Sequence, residues 1–137
     1  MKQAVQAIAF RKKENYEFLL LKRIPEKGGF WQPVTGGLEE ETRLEGAYRE
    51  LQEEVSITKD NIIRTFENVH EHQFERENVH IQENVFAFEV SPDTEVSIHN
   101  NIYPEHEEFT WVSFETAMEM LKWDSNKESF RRLRELI

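Results

Sequence analysis

The chain has no cysteine. That excludes disulfides and thiolate chemistry, and it leaves any zinc site to histidine and carboxylate alone. A cysteine-free chain suits a reducing compartment. Glycine and proline are scarce, five and four among 137 residues, and no stretch rich in them marks a linker, repeat or low-complexity tract. Long apolar runs are missing too: nothing approaches the roughly 20 apolar residues that a membrane span needs. The opening Met1–Phe10 runs into Arg11-Lys12-Lys13 without the apolar core or cleavage site of a secretory signal. Basic residues are outnumbered, 17 against 27 acidic, for a net charge of −10. Such a surface repels nucleic-acid polymers and anionic membranes, whose recognition needs clustered Lys and Arg. It also repels a phosphate ester unless a cation intervenes. The expectation is a cytoplasmic protein with a small-molecule partner; a homodimer is left open.

What is present is a core. Aromatic residues make up 12% and are spread along the chain. A single domain over residues 1–137 should bury about two thirds of its unfolded surface and stand without staples. Residues 3–10 alternate apolar and polar, and Phe18-Leu19-Leu20-Leu21 is a short apolar run. With polar Lys12–Asn15 between them, they predict two strands and a hairpin-like loop. Pro25–Gly29 reads as a loop, and Phe30–Val34 leads into a Gly36-Gly37 turn. Further strands are predicted over 61–70, 79–90 and 109–112, with a turn at Ser91-Pro92-Asp93. Helices are predicted over about 113–121 and, capped by Asp124 or Ser125, through Phe130, Leu133 and Leu136. Strands interleaved with two or three helices predict an α/β sandwich around a mixed sheet.

The chemistry lies on the helix predicted from Thr42 to about Val55. Thr42 with Glu45 three residues on has capping-box spacing. Leu44, Ala47, Tyr48, Leu51 and Val55 form one apolar stripe. Glu50, Glu53 and Glu54 share an arc centred about 120° from it, so one face is for burial and another carries acid. Glu-rich helices are most often solvated faces, in which Lys dilutes the repulsion. Here no Lys does. A hard dication such as Mg²⁺ turns that repulsion into coordination and bridges substrate phosphates. Glu41, just before the cap, is near enough to join, and Arg49 can orient a carboxylate through a forked pair.

Glu41, seven residues, then Arg49-Glu50-Leu51-Gln52-Glu53-Glu54-Val55-Ser56-Ile57 resembles the signature of the Nudix (MutT-like) hydrolases. In that signature a Gly, five residues and a Glu precede seven residues and Arg-Glu-apolar-X-Glu-Glu-X-Gly-apolar. From Glu41 to Glu54 the register matches without a gap. The resemblance implies a Nudix α/β/α sandwich with a mixed β-sheet. It implies metal ligands at Glu50, Glu53 and Glu54, with Arg49 and Glu41 orienting them. It also implies Mg²⁺, or Mn²⁺ in its stead, and attack of water on a phosphorus of a nucleoside-diphosphate-like group. Two departures stand out. Only four residues separate Gly36 from Glu41, and Ser56 occupies the position of the closing Gly, where a positive φ is favoured.

Phe30-Trp31-Gln32, Val34-Thr35-Gly36, Glu39-Glu40, Glu105-His106 and Trp123-Asp124-Ser125-Asn126 resemble the dihydroneopterin triphosphate pyrophosphatase branch. That resemblance implies Glu105 as a further metal ligand or general base, and Arg23, Thr35 and Asn126 as substrate contacts. Trp31 offers a face on which a planar ring could stack, although aromatics at such positions more often fill cores. The expected reaction releases pyrophosphate from a triphosphate with a planar heterocycle. Nucleoside triphosphates and dinucleoside polyphosphates are the alternative substrates, and a silent nucleotide-binding Nudix module is the alternative function. His70 and His72 share a strand face as zinc ligands would, with no third ligand evident.

Overall fold

Alternation along the strands decides which side of the sheet each residue serves. The computed structural model describes all of residues 1–137. Strands β1 (Lys2–Lys12), β2 (Tyr16–Arg23), β3 (Trp31–Gln32), β4 (Val34–Gly37), β5 (Ile62–Arg76), β6 (Val79–Val90) and β7 (His106–Val112) make one sheet. Its main order is β3-β2-β1-β6-β5, with β4 paired to β1 and β7 to β2. The sheet is mixed: β1 runs parallel to β6 and antiparallel to β2 and β4. The first part of β1, Ala4–Ala7, pairs with β4, and only Phe10–Lys12 reach β2.

Val5, Ala7, Ala9, Leu19, Leu21, Phe86 and Phe88 face one side, beneath helix α1 (Arg43–Val55), which buries Ala47, Leu51 and Val55 against them. Ile8, Phe10, Phe18, Leu20, Val85 and Ala87 face the other, beneath α2 (Phe114–Met120) and α3 (Asp124–Leu136), which bring Ala117, Phe130 and Leu133. The result is an α/β/α sandwich, as expected. No helix is long and apolar enough to cross a membrane.

α1 starts where the sequence places it. Thr42 Oγ1 accepts from the Glu45 amide at 3.2 Å, and the Glu45 carboxylate accepts from the Thr42 amide at 3.4 Å. It ends at Ser56, whose φ of 62° and ψ of 26° are left-handed. A side chain there costs about 1–2 kcal/mol relative to glycine, and Ser56 recovers part of it locally. Its hydroxyl accepts from Asn100 Nδ2 at 2.8 Å and donates to Ser97 O at 3.3 Å.

Four details correct the sequence reading. Pro25–Lys27 is a single 3₁₀ turn inside the expected loop, closed by Gly28 and Gly29 at φ 109° and 65°. β5 continues six residues past His70 to Arg76, and turns into β6 through Glu77 and Asn78 at φ 53° and 64°. β7 begins at His106 rather than Phe109. α3 is capped at Trp123, without a side-chain cap, rather than at Asp124 or Ser125.

Leu51 is fully buried in mid-helix. Truncation to Ala is expected to destabilise the fold by about 2–5 kcal/mol, read from denaturant unfolding at constant m-value. Activity per folded molecule should be nearly retained at low temperature.

Candidate active site

The turn from β4 into α1 brings the acids together around one guanidinium. Arg49 Nη2 lies 2.7 Å from Glu41 Oε1 and donates to Gly37 O at 3.0 Å, while its Nε sits 3.1 and 3.2 Å from the two Glu41 oxygens. Its Nη1 donates to Glu50 Oε1 at 2.9 Å and to Glu53 Oε2 at 3.3 Å. The expected fork thus falls on Glu41, and Arg49 also touches two of the three helix acids. Hydrogen bonding to Arg49 holds the Glu41 carboxyl below its ordinary range, and the same contact raises Arg49.

The acids differ in exposure. Glu53 is open to solvent, whereas Glu50 and Glu54 are buried. Glu50 lies against Gly36, where any Cβ would overlap its carboxylate. This is the physical need for glycine at that strand position: the β4 backbone is the wall of the carboxylate's slot. Burial pushes the Glu50 carboxyl up to about 7 despite the opposing pull of Arg49, and the Glu54 and Glu53 charges push in the same direction. Glu54 is held from the far side: Asn101 Nδ2 donates to its Oε1 at 2.9 Å, and His106 Nδ1 stands 3.2 Å from its Oε2. The other ring nitrogen of His106 is 3.1 Å from Gln32 Nε2. An amide N–H donates, so His106 Nε2 accepts and its proton sits on Nδ1, aimed at Glu54. His106 and Gln32 are both buried.

The other expected site residues are placed elsewhere. Glu105 is not drawn to the helix acids: its Oε1 is 3.7 Å from Lys27 Nζ and its carbonyl accepts from the Ile24 amide. The inward residue of the Glu105-His106 pair is the histidine, which sequence reasoning quoted without a role. The signal for it was strand parity, since β7 starts at that residue. Arg23 Nε donates to Lys27 O at 3.0 Å, and its guanidinium lies 5.6 Å from the Phe30 ring centroid, clamping the 24–30 turn. Trp31 is half-buried against the α2/α3 side of the sheet and bridges to Leu121. Thr35 points to that same side, its hydroxyl 3.0 Å from Glu83. Asn126 is buried in the first turn of α3. His70 and His72 stack with ring centroids 5.6 Å apart, and His72 Nε2 is 2.7 Å from Glu83 Oε1.

The donor set at α1 suits a hard cation. It offers only carboxylate oxygens, it carries four negative side chains against one Arg49, and it includes a buried carboxylate whose ionisation is resisted. The acids do not yet meet at one point, since Glu50 and Glu53 turn to Arg49 and Glu54 to His106. Binding an ion would require rotation of these side chains, which the open side at Glu53 allows.

The NUDIX domain matches residues 2–133. An octanoyltransferase of Myxococcus xanthus is 35% identical over 115 residues, which are 83% of this chain and 31% of that protein. The chain thus spans about a third of that relative's length. A dihydroneopterin triphosphate diphosphatase of Haemophilus influenzae is 30% identical, covering 95% of this chain and 85% of that one. Among solved structures, the C. elegans Ap4A hydrolase in a binary complex superposes with a TM-score of 0.83 at 20% identity, over 99% of this chain and 97% of the other.

Proposed function

The chain belongs to the Nudix family, and from that premise we propose that it hydrolyses a diphosphate linkage in a small phosphoanhydride, with Mg²⁺, or Mn²⁺ in its stead, held on α1. The observation that carries the reading is the shared guanidinium: Glu41, Glu50 and Glu53 all compete for Arg49. Such crowding is destabilising without a counter-charge and useful with one. A dication bound there would neutralise phosphoryl oxygens and lower the pKa of a coordinated water. Glu50, Glu53 and Glu54 are its holders. Arg49 and Glu41 fix the rotamers of the first two, and the His106–Gln32 pair fixes the third. Glu105, which lies 3.7 Å from Lys27 Nζ, is left as a candidate general base.

The substrate we propose is a triphosphate with a planar heterocycle, like dihydroneopterin triphosphate, cut to release pyrophosphate. Support comes from the 30% identical relative and from polar groups collected on the α2/α3 side of the sheet, next to β4. The similarity to an Ap4A hydrolase keeps dinucleoside polyphosphates as the second reading. A silent binding module is disfavoured, because all three acids are retained. A competition among dihydroneopterin triphosphate, nucleoside triphosphates and dinucleoside tetraphosphates, with products resolved by mass, tests the substrate. A specificity constant about tenfold higher for a nucleotide, about 1.4 kcal/mol, would reassign it, and orthophosphate as first product would move the cleavage site.

A further inference from the structure

Beyond the end of α1 the chain folds back along the helix. The left-handed Ser56 reverses its direction, and Ile57 is buried with its amide donating to Leu51 O at 3.3 Å. A single 3₁₀ turn follows at Lys59–Asn61. The turn is fixed at its start, where the Thr58 amide donates to Asn61 Oδ1 at 2.9 Å. These bonds bring Lys59 alongside Tyr48 of α1, with its ammonium 4.8 Å from the centroid of the Tyr48 ring.

Between α1 and this returning segment lies a cleft made of two recesses with shared walls. The larger, about 610 Å³, is lined by Arg49, Gln52, Glu53, Ser56, Thr58 and Asn100, none of them apolar. The smaller, about 270 Å³, shares Arg49, Gln52 and Thr58 and adds Tyr48, Lys59 and Asp60. The cleft thus reaches from Glu53, one of the proposed cation holders, to Lys59. A wall of amides and hydroxyls is a poor seat for an apolar ring and a good one for an anion. Its two cations are not equivalent. Every nitrogen of the Arg49 guanidinium already donates, to Glu41, Glu50, Glu53 or Gly37 O. Lys59 stands over a ring instead of on a carboxylate, which leaves its ammonium for an anion. Tyr48 and Glu53 are five residues apart on α1, about 7.5 Å along its axis. A single phosphate is too short to touch both ends, whereas two linked phosphates can.

We propose that this cleft is the leaving-group subsite: it receives the pyrophosphate end of the substrate, with Lys59 donating to the terminal phosphate. The proposal rests on the phosphoanhydride reading for the cation at Glu53, and it adds the direction in which the phosphate chain lies. Water joins the phosphorus of the part that stays behind, the anhydride bond breaks, and its electron pair leaves with the pyrophosphate in the cleft. Glu53 and Asp60 repel that anion while the acids are bare, so the subsite fills only with the dication in place. Lys59 touches the phosphate farthest from the breaking bond, whose charge changes little in the reaction. Its contribution is therefore to binding, and it falls on KM rather than on kcat.

The probe is inorganic pyrophosphate, titrated calorimetrically into the protein at saturating Mg²⁺ and again in EDTA. It should bind with Mg²⁺ and not in EDTA. Lys59→Gln should weaken it at least about tenfold, as loss of a hydrogen bond to a charged group does. Lys13→Gln, which removes the same charge from the turn between β1 and β2, should leave it unchanged. Orthophosphate cannot span the cleft and should bind the parent and Lys59→Gln alike. With triphosphates, Lys59→Gln should raise KM about tenfold at nearly constant kcat. Lys59 is exposed, so the variant should keep its melting temperature, and Lys59→Arg should restore pyrophosphate binding. Equal pyrophosphate affinity in the parent and Lys59→Gln, or a loss shared by orthophosphate or by Lys13→Gln, would overturn the proposal. Pyrophosphate binding that depends on Lys59, in a protein that hydrolyses no triphosphate, would leave the subsite standing and refute the hydrolase reading. Hydrolysis that is indifferent to Lys59 would do the reverse.

Discussion

Glu54→Gln is expected to lower turnover by about a hundredfold or more at saturating Mg²⁺, close to 3 kcal/mol of transition-state stabilisation, with the fold intact. The variant keeps the shape of the side chain and removes a buried charge. Asn101 Nδ2 still finds a carbonyl oxygen, but the new amide meets the Nδ1–H of His106, donor against donor. His106 can answer by moving its proton to Nε2 if the Gln32 amide turns over, so the local rearrangement costs little. Glu53→Gln is the cleaner companion, because Glu53 is exposed and its only partner is Arg49 at 3.3 Å. Both should lose activity and keep their melting temperature, the inverse of Leu51→Ala. Steady-state rates over a Mg²⁺ titration, paired with thermal unfolding, separate the classes. A Glu54→Gln protein as active as the parent would remove Glu54 from the proposed metal set.

The helix that carries these acids was legible because every local signal agreed: a capping box, an apolar stripe at helical spacing, and acids on another arc. The spacing of the acids was legible, but their burial was not. A helical wheel places Glu50 and Glu54 away from the stripe, which implies solvent; only the strand lying against α1 decides otherwise. That strand buries Glu50 because Gly36 has no side chain to hold it off. The end of β5 was missed for a related reason. Beyond His70 only Phe74 is apolar, so alternation gives little contrast, and the turn at Glu77-Asn78 lacks glycine although both residues take positive φ. Glu105 drew attention as a carboxylate in the right motif, while parity turned its neighbour His106 inward to Glu54. The pairings of β1, parallel to β6 and shared between β2 and β4, join residues too far apart in sequence for any local pattern to encode.

Metal-free protein should lose stability as pH rises from about 4.5 to about 7, and Glu50 is the reason. Its carboxyl is raised from the ordinary 4.5 to about 7, chiefly by burial. A folded state that holds a proton more tightly than the unfolded chain is favoured while that proton is bound. The stabilisation is complete below about 4.5, declines through the window, and is gone above about 7. Glu41 and Glu128 act in the opposite sense, because arginine contacts lower both carboxyls. Their contribution is present above 4.5 and is lost as pH falls below it, so the two effects occupy separate windows. The shift sets a ceiling of about 3 kcal/mol for Glu50. Glu50→Gln should therefore stabilise the metal-free protein at pH 8 by about 1–2 kcal/mol, less than the ceiling because the charge-assisted contact with Arg49 at 2.9 Å becomes a neutral one. If ionised Glu50 is a ligand as proposed, Mg²⁺ should restore the parent at pH 8 and should do far less for the variant. Denaturant unfolding in EDTA at pH 5, 6, 7 and 8, repeated with excess Mg²⁺, measures all of this. If the parent curve in EDTA is flat across that range and Glu50→Gln matches it at pH 8, Glu50 ionises freely, and the strain that α1 would hand to a bound cation does not exist.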